Sequence, residues 1–475
     1  MEIVENRTKI VATYGPAIAD PQTMKEMVQA GVDVFRFNFS HGDHAFHQNG
    51  FNMVQDINKE HNLNIAILAD LQGPKIRVGK VLEGVILETG GEVTLTNVKQ
   101  DSTSELVFVN YEKLPAEVKK DERILMDDGK ITLRVIDSNG KDKVRCEIVD
   151  GGPLSSNKGV NFPESTISIP SLSEKDRADL AFAVEAGANW IALSFVRNAE
   201  EIMDLKEIIK SKRDYLKVIA KIEKPEALDN IDHIIEAADG IMVARGDLGV
   251  EVPIERMPLI QKDIVNRCIQ KAKPVVIATQ MMESMIENST PTRPEVTDVA
   301  NAVIDGADAV MLSGETSVGK YPVRVIQTMA SILTNVENTD TIYNKGLKAD
   351  KKSPHFISDT MCYNSCEIAQ HLEAEAILGM TKSGYTGFMV SSYRPKSNIY
   401  IFTDNERLLN TMNLCWGVKA FPYDRFVSTD VTIRDVIEYL KENKKLKVGD
   451  IVVNSASMPL REQGRTNMVK VTVVK

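Results

Sequence analysis

Residues 218–247 read VIAKIEKPEALDNIDHIIEAADGIMVARGD, and they contain one complete structural unit. An apolar, β-branched run at 218–223 is followed by Pro225, a helical stretch to 238, and a second apolar run from Gly240. Proline suits the first turn of a helix and glycine the position past its end. A strand, a helix and a second strand joined this closely form a parallel crossover unit. Both strands end in polar residues, Lys221-Ile222-Glu223 and Arg245-Gly246-Asp247.

The unit recurs on either side. Strands are expected at 9–13, 32–39, 65–70, 190–196, 218–223, 240–247, 274–280 and 309–315, with helices at 21–30, 43–60, 199–210, 225–238, 257–272, 294–305 and 322–336. Eight repeats are the number that closes a (β/α)8 TIM barrel. A doubly wound open sheet would carry a Gly-rich dinucleotide loop, which no segment supplies. The rhythm breaks after the third strand. Residues 73–170 are rich in Val, Thr and Ile and carry turn signals such as Asp127-Asp128-Gly129 and Ser138-Asn139-Gly140. This predicts an inserted, β-barrel-like domain. After the polar stretch 335–353, helices at 358–372, 406–415 and 432–441 alternate with strands at 376–380, 398–402, 450–454 and 468–474, an α/β domain. The expected division is 1–72 with 171–340 for the barrel, 73–170 for the insert and 341–475 for the C-terminal domain.

Composition narrows the class. The chain has 475 residues, 43% hydrophobic and 26% charged, and 57 basic against 67 acidic residues give a net charge of −10. Such a chain is a poor general binder of nucleic acid or anionic membrane. Residues 1–7 hold no apolar signal core, and no apolar run reaches the ~18 residues needed to span a bilayer. Five scattered cysteines read as reduced thiols, so the expected compartment is the cytoplasm.

A barrel's chemistry sits where its strands end. Here the ends carry Arg36, Asn38, Ser40 and His41, then Asp70, Lys221 with Glu223, Arg245-Gly246-Asp247, and Thr279. Alternation puts Arg36, Asn38 and Ser40 on one side of their strand, and Lys221 and Glu223 on one side of theirs. Carboxylates to hold a hard cation, cations to neutralise phosphate, and hydroxyls suit phosphoryl transfer. A single Lys or Glu at a strand end is ordinarily a solvated cap or a structural ion pair; the convergence of seven or more carries the reading. Other motifs fail. Gly314 to Lys320 spans most of a phosphate loop, but Tyr321 stands where the Ser/Thr belongs. His41, His44 and His47 lack zinc-site spacing. Cys362 and Cys366 read as core thiols.

These motifs resemble the pyruvate kinase family over essentially the whole chain: Lys9-Ile10-Val11-Ala12-Thr13, Asp70-Leu71-Gln72-Gly73-Pro74-Lys75, Ile219-Ala220-Lys221-Ile222-Glu223, Arg245-Gly246-Asp247-Leu248-Gly249 and Ala278-Thr279-Gln280-Met281. The resemblance implies transfer of phosphate from phosphoenolpyruvate to ADP, giving pyruvate and ATP. It implies Mg2+ or Mn2+ on Glu223 and Asp247, Lys221 on the transferring phosphoryl group, Arg36 on phosphate, and Thr279 near the methylene carbon. The amides of Ala244, Arg245, Gly246 and Asp247 would take the substrate carboxylate, and Asn38, His41, Arg77 and Lys158 would face the nucleotide. It also implies a homotetramer and a lid that excludes water.

Two departures matter. Family members that need K+ read Asp-Thr-Lys-Gly-Pro-Glu at the third strand, where this chain has Leu71 and Lys75. The Lys75 ammonium can supply the charge that K+ would bring to Asn38, Ser40, Asp70 and Leu71, so K+ independence is expected. In the C-terminal domain, Thr381-Lys382-Ser383-Gly384-Tyr385-Thr386 resembles the family's sugar-phosphate loop, with Tyr385 where Arg is usual. A sugar phosphate or nucleotide effector is the expectation there, against an ordinary strand–helix turn. Another barrel acting on phosphoenolpyruvate or a keto acid would lack the insert and the trailing domain, and a retired enzyme acting as a sensor would not need Lys221, Glu223, Asp247 and Thr279 intact.

Overall fold

The computed structural model describes residues 1, 3–212, 216–344, 346–425, 428–458 and 466–475. Eight parallel strands close a barrel in chain order: β1 (Lys9–Thr13), β2 (Val34–Asn38), β3 (Ala66–Asp70), β4 (Trp190–Leu193), β5 (Lys217–Ile222), β6 (Gly240–Ala244), β7 (Val275–Ala278) and β8 (Ala309–Leu312). The barrel is filled by Val11, Val34, Leu68, Trp190, Ile219, Met242, Val276 and Met311, all essentially inaccessible to solvent. Side chains alternate along a strand. Inward residues at 34, 66 and 68, 190 and 192, and 219 are therefore continued by Arg36, Asp70, Ser194 and Lys221. The apolar plug ends and a polar cap begins within one residue step.

The strands are shorter than the apolar runs. Residues 245–247 are not strand: the chain turns at Ala244 into the helix Arg245–Glu251. Likewise β8 gives way to a helical turn, Gly314–Ser317. Apolar periodicity cannot see this change, because both structures bury the same residues. The helix expected over 225–238 is two, Pro225–Asp229 and Ile231–Ala237. Asn230 interrupts it by donating its side-chain amide to Arg197 O and Glu226 O, both at 3.0 Å.

The inserted segment forms a six-stranded sheet and a two-stranded ribbon around a separate apolar core that includes Val78, Leu95, Ile124, Leu133, Val144 and Phe162. Its return to the barrel is held by Arg197, whose guanidinium donates to Ile167 O and, at 2.6 Å, to Ile169 O. The C-terminal domain is a five-stranded sheet: β9 (Ala376–Met380), β10 (Asn398–Thr403), β11 (Val418–Pro422), β12 (Ile451–Ala456) and β13 (Met468–Val473), with only β13 antiparallel. Sequence reading missed β11, which is five residues directly after a 3-10 turn. The domain is clamped to the closed end of the barrel by buried Arg394. Its guanidinium lies 3.0 Å from Asp308, donates to Gly306 O at 2.8 Å, and covers the Trp416 ring at 5.0 Å.

Gly73, the first turn of the insert, has φ +70°. A methyl group there would meet Ser194 Cβ and Phe195 Cδ2 at 2.9 Å. Gly73→Ala combines a left-handed alanine with overpacking, and should cost about 2–5 kcal/mol of stability. A lower midpoint in chemical denaturation checks it.

Candidate functional site

At the C-terminal rim of the barrel, four charged side chains form one buried knot. Asp70, at the end of β3, is its centre. Asp70 Oδ2 accepts from Arg36 Nε at 2.6 Å, and Oδ1 lies 3.2 Å from Lys221 Nζ. Lys221 Nζ also lies 3.0 Å from Glu223 Oε1 and donates to Ser194 Oγ at 2.7 Å. Arg36 reaches back to Thr13 Oγ1 at 3.0 Å, and the Phe195 backbone N–H holds Glu223 Oε2 at 2.8 Å. Five strands contribute: β1, β2 and β3 directly, β4 through residues just past its end, and β5.

The electrostatics follow from burial against charge. Burial favours a neutral Asp70, but Lys221 and Arg36 outweigh it and hold the carboxyl below its usual range. Burial likewise works against the Lys221 ammonium, and Asp70 and Glu223 overcome it, so the lysine is held above its usual range. Glu223 is the exception. Burial, with the like charge of Asp247, pushes its carboxyl up despite Lys221. A buried carboxylate whose proton affinity is raised, with a second carboxylate beside it, is a hard-oxygen donor set for a divalent cation, which would remove the repulsion. Among the described residues, no group of three or more His, Cys, Asp or Glu side chains gathers as a metal cage. A cation on Glu223 and Asp247 would therefore keep positions for water or substrate oxygens.

The β7 end carries the hydroxyl. Thr279 sits at φ +67° and Gln280 at φ +55°, a strained pair for side-chain-bearing residues. Thr279 Oγ1 accepts from Gly246 N at 2.7 Å and donates to Ala278 O at 2.6 Å. Arg245 turns away from the knot and braces this turn, paired with Asp298 through two contacts at 2.7 and 2.8 Å and donating to Thr279 O at 2.8 Å.

Between the barrel rim and the insert lies a cleft lined by Lys75, Arg77, Gly159, Asn161, Phe195, Lys224 and Asp247. The Lys75 ammonium lies 5.9 Å from the Phe195 ring centre. Leu71 is only 1% exposed and presents no side-chain oxygen. Partial burial, with the charges of Lys75, Arg36 and Arg77, lowers the proton affinity of the exposed His41. Asn38 spends its side-chain oxygen on Ser40 N at 3.1 Å. Lys158 pairs with Asp127 inside the insert at 2.8 Å, and its neighbours Asn157 and Gly159 line the cleft instead. Thus Arg36, Asp70, Lys221 and Glu223 touch, Thr279 and Gly246 touch, and Lys158 is engaged elsewhere.

The C-terminal loop is remote from this rim. Thr381 Oγ1 accepts from Gly384 N at 3.0 Å, Ser383 and Lys382 are exposed, and Thr386 Oγ1 contacts Thr466 Oγ1 at 2.8 Å. The Tyr385 hydroxyl bonds Asp359.

Sequence reading missed Ser194, although the inward alternation 190, 192, 194 points to it. It also missed Thr13, Asp298 and the Phe195 amide, whose roles depend on contacts 23 to 53 residues away in the chain. Of the rejected motifs, Lys320 pairs with Glu287, His44 with Asp179 at 2.7 Å, and all five cysteines are buried. At the surface, Lys445 bonds Glu5 at 3.0 Å.

Comparison with known proteins agrees with this geometry. The family profile "Pyruvate kinase, barrel domain" matches residues 5–326, and "Pyruvate kinase, alpha/beta domain" matches 359–472. Pyruvate kinase 2 of Synechocystis is 43% identical over 99% of this chain and 79% of its own. Pyruvate kinase of Corynebacterium glutamicum is 42% identical over 98% of each chain. The crystal structure of a pyruvate kinase from Cryptosporidium parvum superposes with a TM-score of 0.92 at 30% identity, covering 99% of this chain and 96% of that one. With both domains matched and relatives aligned nearly end to end, the chain belongs to the pyruvate kinase family of phosphotransferases.

Proposed function

We propose that the protein transfers the phosphoryl group of phosphoenolpyruvate to ADP, giving pyruvate and ATP. The observation that carries this reading is the buried knot of Arg36, Asp70, Lys221 and Glu223, opening beside Asp247 into a cleft lined with cations. In the reaction the P–O bond to the enol oxygen breaks and a P–O bond to the terminal phosphate of ADP forms. The enolate carbon then takes a proton. Phosphoryl transfer asks the protein for position and charge. Lys221, held protonated by its carboxylate neighbours, faces the charge on the transferring group, and Arg36 holds the phosphate. Asp70 aims both cations and takes no part in bond making.

The carboxylate of the substrate would lie at the amides of Ala244, Arg245, Gly246 and Asp247. The Gly246 amide now held by Thr279 Oγ1 would then be shared with it. The Thr279 hydroxyl marks the side from which the proton reaches the methylene carbon, either directly or through a water. Glu223 and Asp247 would hold Mg2+ or Mn2+, which supplies positive charge to the enol and phosphoryl oxygens. Asn38, His41 and Arg77 face the nucleotide, and Lys158 joins them only by leaving Asp127. The insert closes the cleft against water.

Buried Leu71 and the Lys75 ammonium support turnover without K+. For the C-terminal domain, the Thr381, Lys382, Ser383, Gly384 and Thr386 loop supports binding of a phosphorylated effector, a sugar phosphate or a nucleotide. Family likeness supports a homotetramer acting in the cytoplasm. Among the described residues no helix is long and apolar enough to cross a membrane.

A lactate-dehydrogenase-coupled assay with Mg2+, ADP and phosphoenolpyruvate tests the activity. Lys221→Met should lower kcat by at least about 10^3-fold, since a charge made for the transition state is lost; near-wild-type turnover would remove Lys221 from the reaction. At constant ionic strength, replacing Na+ by K+ should change the wild-type rate by less than about twofold, whereas Leu71→Thr with Lys75→Glu should make the enzyme depend on K+.

A further inference from the structure

We propose that Asn161, Glu251 and Lys224 form a latch that sets the insert over the nucleotide side of the cleft, a positioning device resting on the phosphotransfer reading above. Glu251 is the last residue of the helix Arg245–Glu251, which starts with the segment assigned to substrate and metal. Its side chain is fully buried, yet it takes part in an interdomain contact. Oε1 accepts from Asn161 Nδ2 of the insert at 2.7 Å and also pairs with Lys224 Nζ. Oε2 has no hydrogen-bond partner.

Each partner touches a different part of the machinery. Lys224 directly follows Glu223 in the chain. Asn161 lies on a two-residue strand paired with Leu125 and Met126, and the adjoining Gly159 is bridged to Arg77, a cleft-lining cation. Moving Asn161 away from Glu251 therefore moves the strand that carries Gly159 and the bridge to Arg77. The contact is distinct from the hinge, where Arg197 holds the return segment through the carbonyls of Ile167 and Ile169.

The energetics favour a latch over a permanent weld. A buried carboxylate is costly unless paired. Lys224 supplies the pairing from the barrel itself, so Glu251 stays satisfied in charge when the insert leaves. Only the single hydrogen bond from Asn161 is exchanged for water, a bond to a charged acceptor of modest net worth. Opening is therefore reversible, and closing restores one definite register of the insert. A ligand that requires the closed register binds with an apparent affinity reduced by the fraction of molecules closed.

Two substitutions at Asn161 test this. Asn161→Leu removes the donor, and Asn161→Asp places a second carboxylate against Glu251. The expected result is a rise in KM for ADP of about fivefold for Leu and more for Asp. Melting temperatures should stay near wild type. Small-angle scattering should give a larger radius of gyration for both variants, in the same order. Unchanged KM for ADP, equal effects of Leu and Asp, or scattering profiles identical to wild type would each overturn the latch. If the wild-type protein fails to turn over phosphoenolpyruvate and ADP, the functional reading falls, and scattering still decides the latch.

Discussion

Asp70 is the constraint on which the active end of this protein depends. It is a carboxylate at the top of an otherwise apolar barrel, and it stays charged because two cations from other strands reach it. Removing both cations would leave the buried charge unpaired, a change that costs several kcal/mol in comparable settings. Arg36 and Lys221 also rely on Asp70, since each is buried and part of its charge is offset there. The knot thus fixes the relative placement of β2, β3 and β5 while holding two positive groups together at the barrel rim. On the proposed reading, stability and function share one set of contacts.

Glu223 stands slightly outside this balance. It is bonded to the ammonium and to the Phe195 amide, yet burial, with the like charge of Asp247, keeps its proton affinity high. A site balanced for Asp70 and unbalanced for Glu223 has room for one more positive charge. That is where a divalent ion fits the chemistry of the residues. Strain gathers around the same rim: Phe195, Thr279 and Gln280 all adopt left-handed backbone conformations. Each costs on the order of 1–3 kcal/mol. The Arg245–Asp298 pair and the Gly73 turn are the local structures that keep them in place.

The other two domains attach to the barrel differently. The C-terminal domain is joined at the far end through Arg394, a buried cation with a buried carboxylate and an aromatic face, which suits a permanent junction. Near the site, the contacts that join the insert to the barrel include Arg197 and one shared oxygen of Glu251. On the proposed reading, such polar contacts around a cleft suit motion, because they are readily exchanged for water when they part.

By itself the sequence determined the architecture and which strand ends carry the buried charged residues. Eight apolar runs, each ending in polar residues, specify a barrel, and alternation along 34–36, 66–70 and 219–223 puts Arg36, Asp70, Lys221 and Glu223 on the inside of their strands. These signals are local, with a period of two, and survive without knowledge of neighbours. What lay outside that reach was everything set by partners distant in the chain. Only the tertiary structure decided that Arg245 faces Asp298, that Lys158 is held by Asp127, that Ser194 and the Phe195 amide complete the knot, and that residues 245–251 turn helical. Hydrophobic pattern encodes which face of a segment is buried. It does not encode which charged side chain a cation will meet there, because that choice is made by the three-dimensional proximity of strands that are far apart in sequence.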